Sequence, residues 1–218
     1  MRNSKFILIL LAIILSSVTN VVARSKIVRV STDAGANVYL NGQQVTAPVK
    51  IVVKPGSDMY LKIEKIGFIT EERVYSYNQT EDKKEYIKLH KDDAYENSFV
   101  TNLANQDIDI RASRDEDESW VLLSRIITSY FDVIAITDKV TGYMCTAWSV
   151  KSFNAATIRT RLIIKTSSAD PLIYKAKLVS EIAPPGSSGS ADEAFRKWDR
   201  VLRTYENVIP DLQSRLGK

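Results

Sequence analysis

A single cysteine and a single histidine among 218 residues narrow the chemistry before any pattern is sought. Cys145 has no partner for an internal disulfide, so stability has to come from buried apolar surface. One Cys and one His, His90, do not supply the ligands of a zinc site, and no metal or other cofactor is expected. Charge of one sign is scarce too: 30 Lys and Arg stand against 26 Asp and Glu, a net of +4 to which Arg2 and Lys5 contribute two. That balance exerts no global pull toward nucleic acid, and no basic tract studded with aromatics supplies a local one. Phosphate loops are missing as well. No Gly-x-x-x-x-Gly-Lys or Gly-x-Gly-x-x-Gly precedes a helical pattern, so Gly35 and Gly42 read as backbone requirements.

Only one long hydrophobic run is present, from Phe6 to Leu15, just after Arg2 and Lys5. It has the length of a signal-peptide core rather than of a membrane span. Small residues follow, and Val21-Val22-Ala23 offers a Val-x-Ala site, so residues 1–23 are expected to be a removable export signal. No Cys stands near the site, which argues against lipoprotein processing. The rival reading is an uncleaved anchor running on through Ser16 to Ala23, weakened by Ser16, Ser17, Thr19 and Asn20. The remaining chain is expected in the periplasm or at the cell surface, folded as two modest domains.

In residues 25–91 the pattern is that of short strands. Ile27 to Ser31 alternates, Asn37 to Leu40 follows, and Asn41-Gly42 is the pair that tolerates positive φ at both centres of a type I′ turn, so the chain should reverse and pair there. Further strands are expected at Val49 to Val53, Met59 to Lys65, Glu72 to Tyr77 and Lys84 to Leu89. Pro55-Gly56 and Ile66-Gly67-Phe68 punctuate them. Spacings of about ten residues without helical period imply a small all-β sandwich or meander.

The run Asp33-Ala34-Gly35-Ala36-Asn37-Val38-Tyr39-Leu40-Asn41-Gly42, then Ala47-Pro48, Pro55-Gly56 and Lys65-Ile66-Gly67-Phe68, resembles the PEGA domain in order and spacing. Asp33-Ala34 stands where that family has Pro-Glu, and Phe68 where it usually has Tyr. The resemblance implies a small β-sandwich of bacterial envelope proteins, serving as a non-catalytic binding or spacer module.

Residues 97–218 follow a polar stretch, Lys91 to Asn97, and read as an α+β domain. Asp107 to Arg111 alternates as a strand. Ser113-Arg114-Asp115-Glu116 is a candidate capping box, and Trp120, Leu123, Ile127, Tyr130 and Phe131 make one buried stripe along a helix ending near Asp132. The carboxylates 115–118 lack calcium-loop spacing and complement the helix dipole instead. Strands are expected at Val133 to Thr137, Tyr143 to Val150, Thr157 to Lys165 and Leu172 to Ile182. A second capping box at Ser190 to Glu193 predicts a last helix with the stripe Phe195, Trp198, Leu202, Tyr205 and Ile209, ended or kinked by Pro210. The whole is an antiparallel sheet with two helices on one face, anchored by Trp120 and Trp198. In order of elements this region is similar to the helix-grip repeats of the lipoprotein subunit of the outer-membrane β-barrel assembly machine.

No nucleophile turn surrounds His90, and Cys145 in its alternating strand reads as a small buried hydrophobe. The chain is therefore expected not to be an enzyme, although paired carboxylates for glycan hydrolysis remain an alternative, as does a signal-anchored sensor. The feature left for binding is a basic sheet face. In suitable register Arg159, Arg161, Lys175 and Lys177 would share one open surface, suited to anionic headgroups, phosphorylated glycans or an acidic protein face. The expected role is a binding, spacer or assembly module that contacts an envelope protein or surface glycan, with peripheral envelope association.

Overall fold

A computed structural model describes residues 24–218; the expected export signal, residues 1–23, lies outside the described residues. The described chain is an all-β sandwich and an α+β unit. The first unit takes in the residues up to Lys65 together with Thr70–Leu89. Strands β1 (Lys26–Thr32), β2 (Asn37–Leu40), β3 (Gln43–Val45), β4 (Val49–Val53), β5 (Asp58–Glu64), β6 (Glu71–Ser76) and β7 (Lys83–Ile87) form two sheets, ordered β4-β1-β7 and β3-β2-β5-β6. Alternation decides what is buried: Val28 and Val30 of β1, Ile51 and Val53 of β4, Val38 of β2, and Leu61 and Ile63 of β5 are all at most 2% exposed. Asn41 (φ 50°) and Gly42 (φ 80°) turn β2 into β3, the two positive φ values for which an Asn-Gly pair is suited.

The second unit comprises Ile66–Ile69 and His90–Lys218. Ile66-Gly67-Phe68, expected as a turn within the first domain, thus clusters with this unit: Ile69 N–H donates to the His90 carbonyl. A short helix α1 (Asp93–Glu96) leads to β8 (Ser98–Val100) and β9 (Asp107–Arg111), then α2 (Glu116–Thr128). There follow β10 (Ile134–Asp138), β11 (Tyr143–Thr146), β12 (Ser149–Ser152), β13 (Thr157–Ala169), β14 (Leu172–Ala183), β15 (Arg196–Lys197), β16 (Arg200–Leu202) and α3 (Val208–Leu216). The long antiparallel pair β13/β14 organises a seven-stranded sheet, with β11 and β12 on one side and β9 and β15 on the other. Ile158, Leu162 and Ile164 of β13 and Tyr174, Ala176 and Leu178 of β14 pack with Leu123, Ile126 and Ile127 of α2 and Leu212 and Leu216 of α3. Both helices therefore cover one face. No helix among the described residues is long and apolar enough to cross a membrane.

Four expectations need correction. Asp115, not Ser113, caps α2, accepting from Glu118 N–H at 2.8 Å, while Ser113 bonds the Leu216 carbonyl at the end of α3. The helix also stops at Thr128, and Phe131 stacks on Tyr205 (4.7 Å) beyond it. The strand expected over Tyr143 to Val150 breaks at Ala147-Trp148 into β11 and β12, both still paired with β13. Most substantially, Phe195 to Leu202 is not helical, and Arg203–Tyr205 makes only a single 3-10 turn. Trp198 N–H donates to the Ser180 carbonyl, β16 pairs with β8, and the helix begins at Val208 with Pro210 in its first turn, where a missing N–H costs nothing. Trp198 consequently packs half-buried beside the sheet, and Trp120, against Tyr174, anchors the helical side.

Candidate ligand-binding surfaces

The register of β13 and β14 sets Arg159 opposite Glu181, Arg161 opposite Val179, Ile163 opposite Lys177 and Lys165 opposite Lys175. Opposed residues share a face, as do alternate residues along a strand. Arg159, Arg161, Lys175 and Lys177 therefore do lie on one side, the side away from the helices. They are not, however, the open patch of free cations that their spacing suggests. Arg159 is only 4% exposed: Nε and Nη2 each reach a Glu181 oxygen at 2.7 Å, and Nη1 reaches Asp192 at 2.6 Å and the Gly189 carbonyl at 2.9 Å. Its guanidinium also lies 4.0 Å from the Phe195 ring and 4.2 Å from that of Trp148. A charge so deeply buried is tolerated only when paired and hydrogen-bonded, and here Glu181 of β14 and the segment after that strand supply the partners.

The other three cations differ in kind. Lys177 pairs with Asp107 of β9 at 3.0 Å. Lys175 is exposed, set between Lys165 on β13 and Asp109 on β9. Arg161 is half-buried with its guanidinium 4.1 Å from the Trp148 ring, and it has no ion pair among the described residues. The break between β11 and β12 brings Trp148 into this contact. Cys145 is buried in β11, and His90 is exposed. The acidic run 115–118 caps α2, and among the described residues no group of His, Cys, Asp and Glu is placed to hold a metal ion.

A second surface lies on the outward side of the β3-β2-β5-β6 sheet of the first unit. Tyr39, opposite Lys62, and Tyr60, opposite Val74, point away from the interior that Val38, Leu61 and Ile63 fill. With Lys62, Glu64, Glu72, Arg73 and Val74 they line a groove of about 470 Å³. Tyr60 and Val74 are more than half exposed. Lys62 bonds Glu64 at 2.6 Å and lies 5.8 Å from the Tyr39 ring. That hydrogen bond holds the Glu64 carboxyl below its ordinary range and raises the Lys62 ammonium, so both stay charged across neutral pH. The arrangement offers two aromatic faces with a fixed ion pair beside them. The sequence reading did not single these residues out, yet their alternation against Val38 and Leu61 was a usable signal.

No family model matches the chain, and no curated protein matches it. Among solved structures, a protein of unknown function from Bacteroides fragilis, provisionally described as membrane-associated, is 11% identical over 75% of this chain and 98% of that one, with a TM-score of 0.26. So loose a superposition carries no inference about fold or role.

Proposed function

We propose that this chain is a non-enzymatic, exported cell-envelope protein whose β-sandwich binds a surface glycan. The observation that carries the reading is the open groove between Tyr39 and Tyr60, with Lys62 and Glu64 locked in an ion pair at its side. Tyrosine rings have flat apolar faces that accept the C–H face of a sugar ring at little entropic cost, and charged groups at the margin take the hydroxyls. Exposed aromatic surface in a groove is expensive to leave wet unless something covers it. The apolar run from Phe6 to Leu15 and the PEGA-like run from Asp33 to Gly42 support the envelope setting and the binding-module role.

Affinity electrophoresis of the exported protein through gels containing envelope polysaccharide tests the reading. Retardation is expected, with Tyr39→Ala and Tyr60→Ala each weakening it about tenfold, as for loss of one ring contact of ~1.4 kcal/mol. Equal retardation of wild type and both variants, with unchanged thermal melting, would discard the groove as the site. Turnover of the polysaccharide would discard the non-enzymatic role.

A further inference from the structure

We propose that Arg161, held by Trp148 on the outer face of the second unit's sheet, is the receptor for a phosphate monoester. Arg159 and Arg161 are two residues apart on β13, both lie about 4 Å from the same indole ring, and they are treated oppositely by the rest of the chain. Arg159 has Glu181, Asp192 and a backbone carbonyl; among the described residues Arg161 has no acidic partner, and its Nε is buried without an acceptor. A guanidinium half-removed from water and left without a counter-charge is costly, and an oxyanion offsets that cost. Stacking fixes the plane of the group, so little side-chain freedom is lost when a two-oxygen ligand docks on its fork.

The neighbouring charges favour a dianion over a carboxylate. Lys177 stands diagonally across the ladder from Arg161, and beyond it Lys165 and Lys175 face each other directly, a like-charge opposition that destabilises a sheet unless an anion relieves it. Asp107 neutralises Lys177, Asp109 flanks Lys175, and Glu181, on the other diagonal from Arg161, is taken up by Arg159, so the face is positive at Arg161 and at the Lys165/Lys175 pair without being uniformly basic. A phosphate monoester on a sugar and one on a lipid headgroup present the same chemistry here. This site is on the second unit and is independent of the tyrosine groove.

The test is a titration of the ¹⁵N-labelled exported protein, following the Trp148 indole and arginine Nε resonances. Glucose 1-phosphate is added in one arm, phosphatidic acid vesicles in a second and glucose in a third. Saturable shifts of Trp148 and Arg161 with one or both phosphates and none with glucose are the expected result, and the arm that saturates at lower concentration identifies the carrier. Arg161→Gln should raise the midpoint at least tenfold, and Arg161→Lys should not restore it, because an ammonium has no planar fork. No saturable shift of Trp148 or Arg161 in wild type with either phosphate overturns the proposal, whether or not the variants fold. So does an unchanged midpoint in a folded Arg161→Gln protein.

Discussion

Replacing Arg159 by Met removes a charge from the most tightly held position on the sheet face while keeping most of the side-chain volume. The loss can be worked from its contacts. Nε hydrogen-bonds Oε2 of Glu181 and Nη2 forms an ion pair with the same oxygen, both at 2.7 Å, and Glu181 is only 21% exposed, so this pair counts almost fully, at ~1.5–3 kcal/mol together. Asp192 is 83% exposed and water replaces its contact, leaving about 0.2–1 kcal/mol. The rings of Trp148 and Phe195 add about 1 kcal/mol between them, part of which Met retains. Relief from burying a guanidinium offsets some of this, and a net loss of about 3 kcal/mol is expected. All three tryptophans, Trp120, Trp148 and Trp198, lie in the second unit, so fluorescence during urea unfolding reports that unit alone. The midpoint should fall with the slope unchanged. Glu181→Gln should cost a similar amount, and the double variant should lose at least ~1 kcal/mol less than the two single losses added together. A loss below about 1 kcal/mol for Arg159→Met, or strict additivity, would refute the claim that the ion pair rather than packing holds this face.

Gly142 has φ 65°, and a Cβ there would stand 2.3 Å from Thr166 Oγ1 and 2.5 Å from its Cβ, so Gly142→Ala should cost about 2–3 kcal/mol in the same unfolding assay; a loss under ~0.5 kcal/mol would contradict the close approach of the two strands. Alkaline pH should weaken the second unit. Burial first, and then a hydrogen bond to Asp211 at 2.6 Å, push the Tyr130 hydroxyl up to about 12, and burial does the same for Tyr174. The unfolded chain releases these protons near pH 10, so their stabilisation is complete below that and is lost as pH rises toward 12. Melting temperature should decline over that window, less steeply in Tyr130→Phe, and a flat profile would refute it.

The elements that local pattern specifies are the ones legible in the chain. β4 needed only the alternation of Val49, Ile51 and Val53, β3 only the Asn41-Gly42 turn before it, and β13 and β14 only the opposition of apolar and basic positions. The region from Phe195 to Tyr205 was not legible, because apolar residues three or four apart describe a helix as well as two short strands. What decided between them is a ladder to β8, about a hundred residues away, and the Ser180 carbonyl. The basic face fails in the same way. The alternation that sets basic against apolar positions on each strand was readable, but the register was left open, and the carboxylate of Asp192 and the ring of Phe195, more than thirty residues further along, have no signature on β13 that would reveal Arg159 as covered.

The parallel pairing of β1 with β7 has a mechanical consequence. Because the first and last strands of the sandwich run the same way side by side, the chain enters this unit at one pole and leaves it at the other. Tension applied through the two ends loads the rungs from Val28/Lys83 to Thr32/Ile87 together, in shear, instead of peeling them one at a time. A sandwich strung in this manner resists extension far better than a hairpin pulled from its open end, a useful property in any link between a moving surface and a fixed one.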